Sequence, residues 1–133
     1  MADGTLALAG IVSLPRSSDK AYVLDWVCTA GGVVDQSITD LIGEVGGKVI
    51  ALQTVPGLNG DLTTQLPTNA YDITIDDAYA TDIAAGALAD RSGTVGERVN
   101  PSVAIPVWGA LTLMIAAAGI TLAGRIIIVI SSN

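Results

Sequence analysis

Histidine and phenylalanine are absent from the chain, and cysteine occurs once. Without histidine, the commonest general base, the usual base of a serine triad and the commonest transition-metal ligand are all missing. A lone Cys28 forms no intrachain disulfide and cannot build a structural zinc site. Preceded by Trp26 and Val27, it reads as a small buried hydrophobe rather than a reactive thiol, in keeping with a reducing compartment. Positive charge is scarce as well. Six basic residues stand against thirteen acidic ones, for a net charge of −7. Arg16, Lys20, Lys48, Arg91, Arg98 and Arg125 are scattered, whereas nucleic-acid binding needs grouped cations to neutralise several phosphates. No catalytic constellation, cofactor motif or metal-ligand spacing is left among these residue types.

What remains is aliphatic. Half of the 133 residues are hydrophobic, 14% are charged and only 4% aromatic. That balance excludes a disordered tail and leaves Ala, Val, Ile, Leu and Thr to fill a core. The length suits one domain over residues 1–133, with an N-terminal arm at about 1–14.

Alternation of period two is the main signal, and it marks strands with one buried face. Tyr22, Leu24, Trp26 and Cys28 share one face of a strand at 22–28. In Tyr71-Asp-Ile-Thr-Ile-Asp76, Tyr71, Ile73 and Ile75 oppose Asp72, Thr74 and Asp76. Residues 47–55 read as a strand closed by Pro56-Gly57, and 109–117 as another with Leu111, Leu113 and Ile115 on one side. Residues 125–131 are a continuous aliphatic strand. Weaker strands are expected at 5–14 and 37–42. Gly-containing turns separate these runs. Seven strands at this spacing point to an all-β, single-domain antiparallel β-sandwich, jelly-roll-like in form.

Residues 78–89 are the one helix-compatible stretch, and read equally as a loop packed on a neighbour. Two connections, 58–69 and 89–106, are long enough to be candidate contact elements. The start of the chain lacks a basic n-region, so no signal peptide is expected. Residues 108–130 hold an apolar run approaching the length of a membrane span, but Arg125, three glycines and many β-branched residues favour two strands joined by a turn.

Two groups resemble sites and fall short. Gly43-Glu-Val-Gly-Gly-Lys48 lacks the Gly at Ile42 and the Ser or Thr at Val49 that a phosphate-binding loop requires. Asp72, Asp76, Asp77 and Asp82 concentrate carboxylates, yet lack the central Gly and terminal Glu of a calcium loop. They read as a solvated strand face ending in a polar turn, with calcium as the alternative. Trp26 and Trp108 are core or interface anchors, and Trp108, at a loop-to-strand junction, leans toward an interface.

The order of the second half carries a resemblance. Pro67, Tyr71-Asp-Ile-Thr-Ile-Asp76, Thr81-Asp-Ile83, Gly86, Asp90-Arg-Ser92, Glu97, Gly109-Ala-Leu-Thr-Leu113 and Gly124-Arg-Ile-Ile-Ile128 resemble, over about 47–130, the cement (capsid decoration) proteins of tailed bacteriophages. The Ala-rich ending at Ile115-Ala-Ala-Ala118 and the missing Phe depart from the usual look. The resemblance implies a structural virion protein on the outer capsid surface, made in the host cytoplasm. It would be a dimer or trimer of itself that bridges neighbouring major capsid protein subunits, with no enzyme activity, nucleic acid or membrane involved. Other virion parts, such as a head–tail connector, tail or fibre-base protein, are the alternative, followed by a membrane-anchored protein using 108–130. Candidate partner contacts are Leu6, Leu8, Arg91, Arg98, Asn100 and Trp108, on the arm and the long loops.

Overall fold

Residues 4–15, 19–28, 33–42, 47–84, 86–100, 105–107, 110–116, 118–119 and 122–131 are described in a computed structural model of the chain. Among the described residues, nine strands, one short α-helical turn and one 3-10 turn follow in the order β1 (Thr5–Ser13), β2 (Lys20–Val27), β3 (Val34–Ser37), α1 (Thr39–Ile42), β4 (Gly47–Pro56), the 3-10 turn (Leu58–Gly60), β5 (Asp72–Asp76), β6 (Glu97–Val99), β7 (Ile105–Val107), β8 (Thr112–Ala116) and β9 (Ala123–Ser131). All pairings between strands are antiparallel. The larger sheet runs β1-β2-β9-β4-β6, with β7 on the same edge of β4 as β6 but at its other end; the smaller sheet runs β3-β8-β5.

The alternation read from the sequence is the packing of these sheets. Tyr22, Leu24, Trp26 and Cys28 of the β2 segment are buried, as are Ile126, Ile128 and Ile130 of β9. From the smaller sheet come Val34, Ile73, Ile75, Leu113 and Ile115, and one core cluster joins both sets. Burial of aliphatics at ~25 cal/mol per Å² is the main force holding the layers together. Among the aromatic rings of the core, Trp26 and Tyr71 are both fully buried, with centroids 5.5 Å apart and planes tilted by 49°. Gly124 is what lets Trp26 lie flat against β9. A Cβ there would stand 2.4 Å from Trp26 Cζ2.

Several expectations change. The N-terminal arm is an integral strand: β1 pairs with β2 from Thr5↔Val27 to Ser13↔Lys20. The strand expected at 37–42 is displaced upstream to β3. Residues 39–42 form one helical turn, because the Ile38 and Thr39 amides both bond Leu111 O and the Thr39 hydroxyl accepts the Leu111 amide. The helix-compatible stretch 78–89 is a chain of turns whose Ile83, Ala84 and Leu88 are buried. The long connection 89–106 contains β6 and part of β7, each of three residues, too short for periodicity to reveal. The apolar run 108–130 holds two strands, as expected, but β8 and β9 pair in different sheets and not with each other. No helix among the described residues is long and apolar enough to cross a membrane.

Candidate protein-contact face

The outer face of the larger sheet departs from what an antiparallel sheet normally presents to water. One face packed and one face solvated should give apolar-in, polar-out alternation. Here β2 turns Ala21 and Val23 outward, beside Val129 and Ile127 of β9 and Ala51 of β4. The continuous aliphatic run of β9 is therefore apolar on both faces. Beside Val129 and Ile127 the surface sinks into a depression of about 440 Å³, rimmed by Val12 and Leu14 on one side and by Ile50, Gln53 and Arg98 on the other. Val12 is 51% exposed and Leu14 37% exposed, high values for side chains of this kind.

The opposite end of the same face is closed by polar chemistry. Asp25 and Arg125 stand directly across from each other on β2 and β9. Arg125 donates from Nε to Asp25 Oδ1 at 2.6 Å and from Nη2 to Oδ2 at 3.0 Å. That bidentate bond raises the already high pKa of Arg125. Gly60 comes close to the arginine stem; a Cβ there would lie 3.1 Å from Arg125 Cδ, so the turn after β4 needs glycine to cover the pair. Asp61 builds that turn. Its carboxylate accepts the Thr64 hydroxyl and the Thr63 and Thr64 amides, which hold its pKa down at about 2.

The candidate contact residues are dispersed. Arg98 is exposed and donates to Gln53 Oε1 at 3.1 Å, on the rim of the depression. Leu6 and Leu8 lie opposite Trp26 and Leu24 and pack against the core, so the leucines chosen from the sequence face inward. The exposed apolar side chains of β1 are instead Ile11 and Val12, because the register shifts between Leu8 and Gly10. Arg91 belongs elsewhere: its Nε donates to Ala89 O, its Nη1 is 3.8 Å from Glu97 Oε2, and its backbone bridges Tyr71. Asn100 is exposed at the end of β6. Trp108 lies outside the described residues, as does 43–46 of the glycine-rich segment. Among the described residues of this set, Arg98 alone lines the apolar depression. The signal that could have found the face was present in β9, whose outward positions carry Ile127 and Val129.

The two long connections support each other. The Ala70 amide bonds Arg91 O, the Gly93 amide bonds Asn69 Oδ1, and Gly93 sits so close to Pro67 that a Cβ would stand 2.1 Å from its carbonyl oxygen. The acidic concentration is also structural. Asp82 Oδ1 accepts the Ile75 and Ala84 amides and Oδ2 the Gly86 amide; Asp77 Oδ1 accepts the Tyr79 and Thr81 amides; Asp72 Oδ1 accepts the Asp90 amide. These carboxylates fasten the 77–91 segment to the edge of β5. No group of three or more metal-ligating side chains is gathered among the described residues. Cys28 is 4% exposed, and burial pushes its thiol up to about 11.

Comparison with known proteins gives no match: no family model, no curated protein and no solved structure.

Proposed function

We propose that the chain is a structural virion protein without catalytic activity, a cement protein that binds the outer surface of a phage capsid and bridges neighbouring major capsid protein subunits. The observation that carries this reading is the apolar outer face of the larger sheet. Contiguous apolar surface rimmed by polar groups is the usual mark of a protein-contact site, and here Arg98 supplies the polar rim. Arginine at such a rim suits bidentate pairing with a carboxylate of the partner.

The strand order supports the jelly-roll form of the sandwich that the sequence suggests. β1, β2, β9, β4 and the β6/β7 edge make one sheet, and β3, β8 and β5 the other. The bridges Tyr71↔Arg91, just before β5, and Asp76↔Asp82, at its end, lie where a fourth strand of the smaller sheet would complete two Greek keys. Stabilisation would be mass action: a protein that binds only the assembled shell stabilises it by its binding free energy.

The test is to mix the purified protein with expanded, empty shells of the phage that encodes it. Cosedimentation together with a higher shell disruption temperature is the expected result. Absence of cosedimentation at saturating protein would contradict the proposal.

A further inference from the structure

The depression in the outer face of the larger sheet has a shape and a charge that limit what fills it. Two bulges shape it. β1 shifts register between Leu8 and Gly10 and β4 between Val49 and Ala51, and each bulge bends its strand on one flank of β2 and β9. Small side chains lower the floor, since Ala21 and Ala51 stand on either side of Val129. The lining runs from Val12 on β1 to Arg98 on β6, four strand spacings or about 19 Å, the length of about six residues of extended chain.

Its charge is opposite to that of the chain. No carboxylate among the described residues lines the depression. Asp25 of β2 is held by Arg125, and Glu97, beside Arg98 in β6, accepts the Ser92 amide and faces Arg91 instead. Arg98 donates only to the neutral Gln53 among the described residues. Lys48 is exposed and turned outward, because the next residue, Val49, is buried. The acids of the smaller sheet lie on the far side of the sandwich. Asp35, Asp72 and Asp76 alternate there with buried Val34, Ile73 and Ile75. A chain of net charge −7 thus turns an apolar, cationic face one way and an acidic face the other.

We infer that the depression takes an extended, aliphatic segment of a capsid subunit, about six residues long, with a carboxylate bound by Arg98. This occupant presupposes that the face binds a shell. Its aliphatic side chains lie over Ile127 and Val129, and Arg98, at one end of the trough, meets the carboxylate with its planar fork. Everywhere else the net −7 repels an acidic surface, so the cationic rim also fixes the orientation of docking. A second copy is the poorer occupant. It carries the same net charge, and its Asp72 and Asp82 are already engaged by backbone amides.

The experiment titrates expanded, empty shells with the full chain, using untreated shells and shells whose accessible carboxylates have been amidated with carbodiimide and glycinamide. Wild type, Arg98→Glu and Ala51→Leu are compared, each checked for folding by circular dichroism. Amidation should weaken wild-type binding at least roughly 30-fold, and Arg98→Glu should do the same on untreated shells. On amidated shells Arg98→Glu should bind as wild type does, because the charge it repels is gone. Ala51→Leu, which fills the floor, should weaken binding at least roughly tenfold. Wild-type binding indifferent to amidation, or Arg98→Glu binding untreated shells as wild type does, overturns the acidic segment and leaves the shell-binding reading standing. Undiminished binding by Ala51→Leu puts the segment outside the depression and overturns it in the same way. Wild type that ignores untreated shells contradicts both. A wild-type oligomer in sedimentation velocity without shells, abolished by Arg98→Glu, gives the face to a second copy and overturns the segment.

Discussion

Replacing Gly124 by alanine adds one methyl group near the start of β9, where the structure leaves no room for it. The new Cβ would lie 2.4 Å from Trp26 Cζ2, 2.8 Å from Cε2 and 3.2 Å from Cη2, whereas ordinary contact begins at 3.4 Å. Relief requires the indole to retreat by about an ångström, which in a close-packed interior displaces its neighbours. Its neighbour is Tyr71, fully buried and already in ring contact, so retreat displaces a second large side chain. Overpacking of this kind costs ~1–3 kcal/mol, and the stiffer unfolded chain returns ~0.4–1, for a net loss of roughly 1–2 kcal/mol. Urea unfolding followed by far-ultraviolet circular dichroism measures it. The midpoint should fall by roughly 0.5–1 M at the slope usual for small domains. The control is Trp26→Phe, which removes the outer part of the indole that Gly124 faces. In that background Gly124→Ala should cost less than ~0.5 kcal/mol, a coupling of the size found between residues in contact. An unchanged midpoint in the single variant, or an equal loss in both backgrounds, would refute the reasoning.

Asp82→Ala removes the acceptor for three backbone amides, those of Ile75, Ala84 and Gly86. A loss of ~1–3 kcal/mol is expected, read by thermal unfolding. Because the same carboxylates are engaged in building the turn, millimolar calcium should leave the melting temperature of the wild type unchanged, and a rise of several degrees would show a site there. Alkaline pH should destabilise the fold through its buried acids. Burial moves Cys28 from 9.0 to about 11 and Tyr71 from 10.0 to about 12. The unfolded chain therefore releases these protons first. Stability is complete below pH ~9 and declines between ~9 and ~12, by up to roughly 3 kcal/mol for Cys28. In Cys28→Ala the decline should begin about one pH unit higher, and an unchanged onset would contradict the assignment.

The β character of the chain was legible wherever alternation ran for five or more residues, because burial of one face writes period two into the sequence. Tyr22 to Cys28 and Tyr71 to Asp76 are such cases, and their inward faces are the ones observed. Three-residue strands leave no such trace, so β6 and β7 were invisible inside a loop. At 39–42 the backbone is bent into a helical turn by hydrogen bonds to Leu111, a partner 72 residues away from Thr39 that no local pattern announces. Of the candidate contacts, Arg98 lies on the rim of the apolar depression, whereas Leu6 and Leu8, read as part of an arm, belong to a strand that pairs along β2 and packs them against the core. The acidic residues at 72–82 were read correctly as the end of a strand and a polar turn, though their amide partners could not be seen from composition.

The central claim is that the apolar outer face of the larger sheet binds a capsid shell. It is tested most directly by titrating shells with wild type and with Val129→Asp, which puts a carboxylate in that face, while Tyr79→Asp serves as a distant control. Wild type and Tyr79→Asp should saturate the shells at the same stoichiometry. Val129→Asp, folded by circular dichroism, should bind at least roughly 100-fold more weakly, since burying an unpaired carboxylate costs several kcal/mol. Equal binding by all three proteins would contradict the assignment of the face, and binding by none would contradict the function.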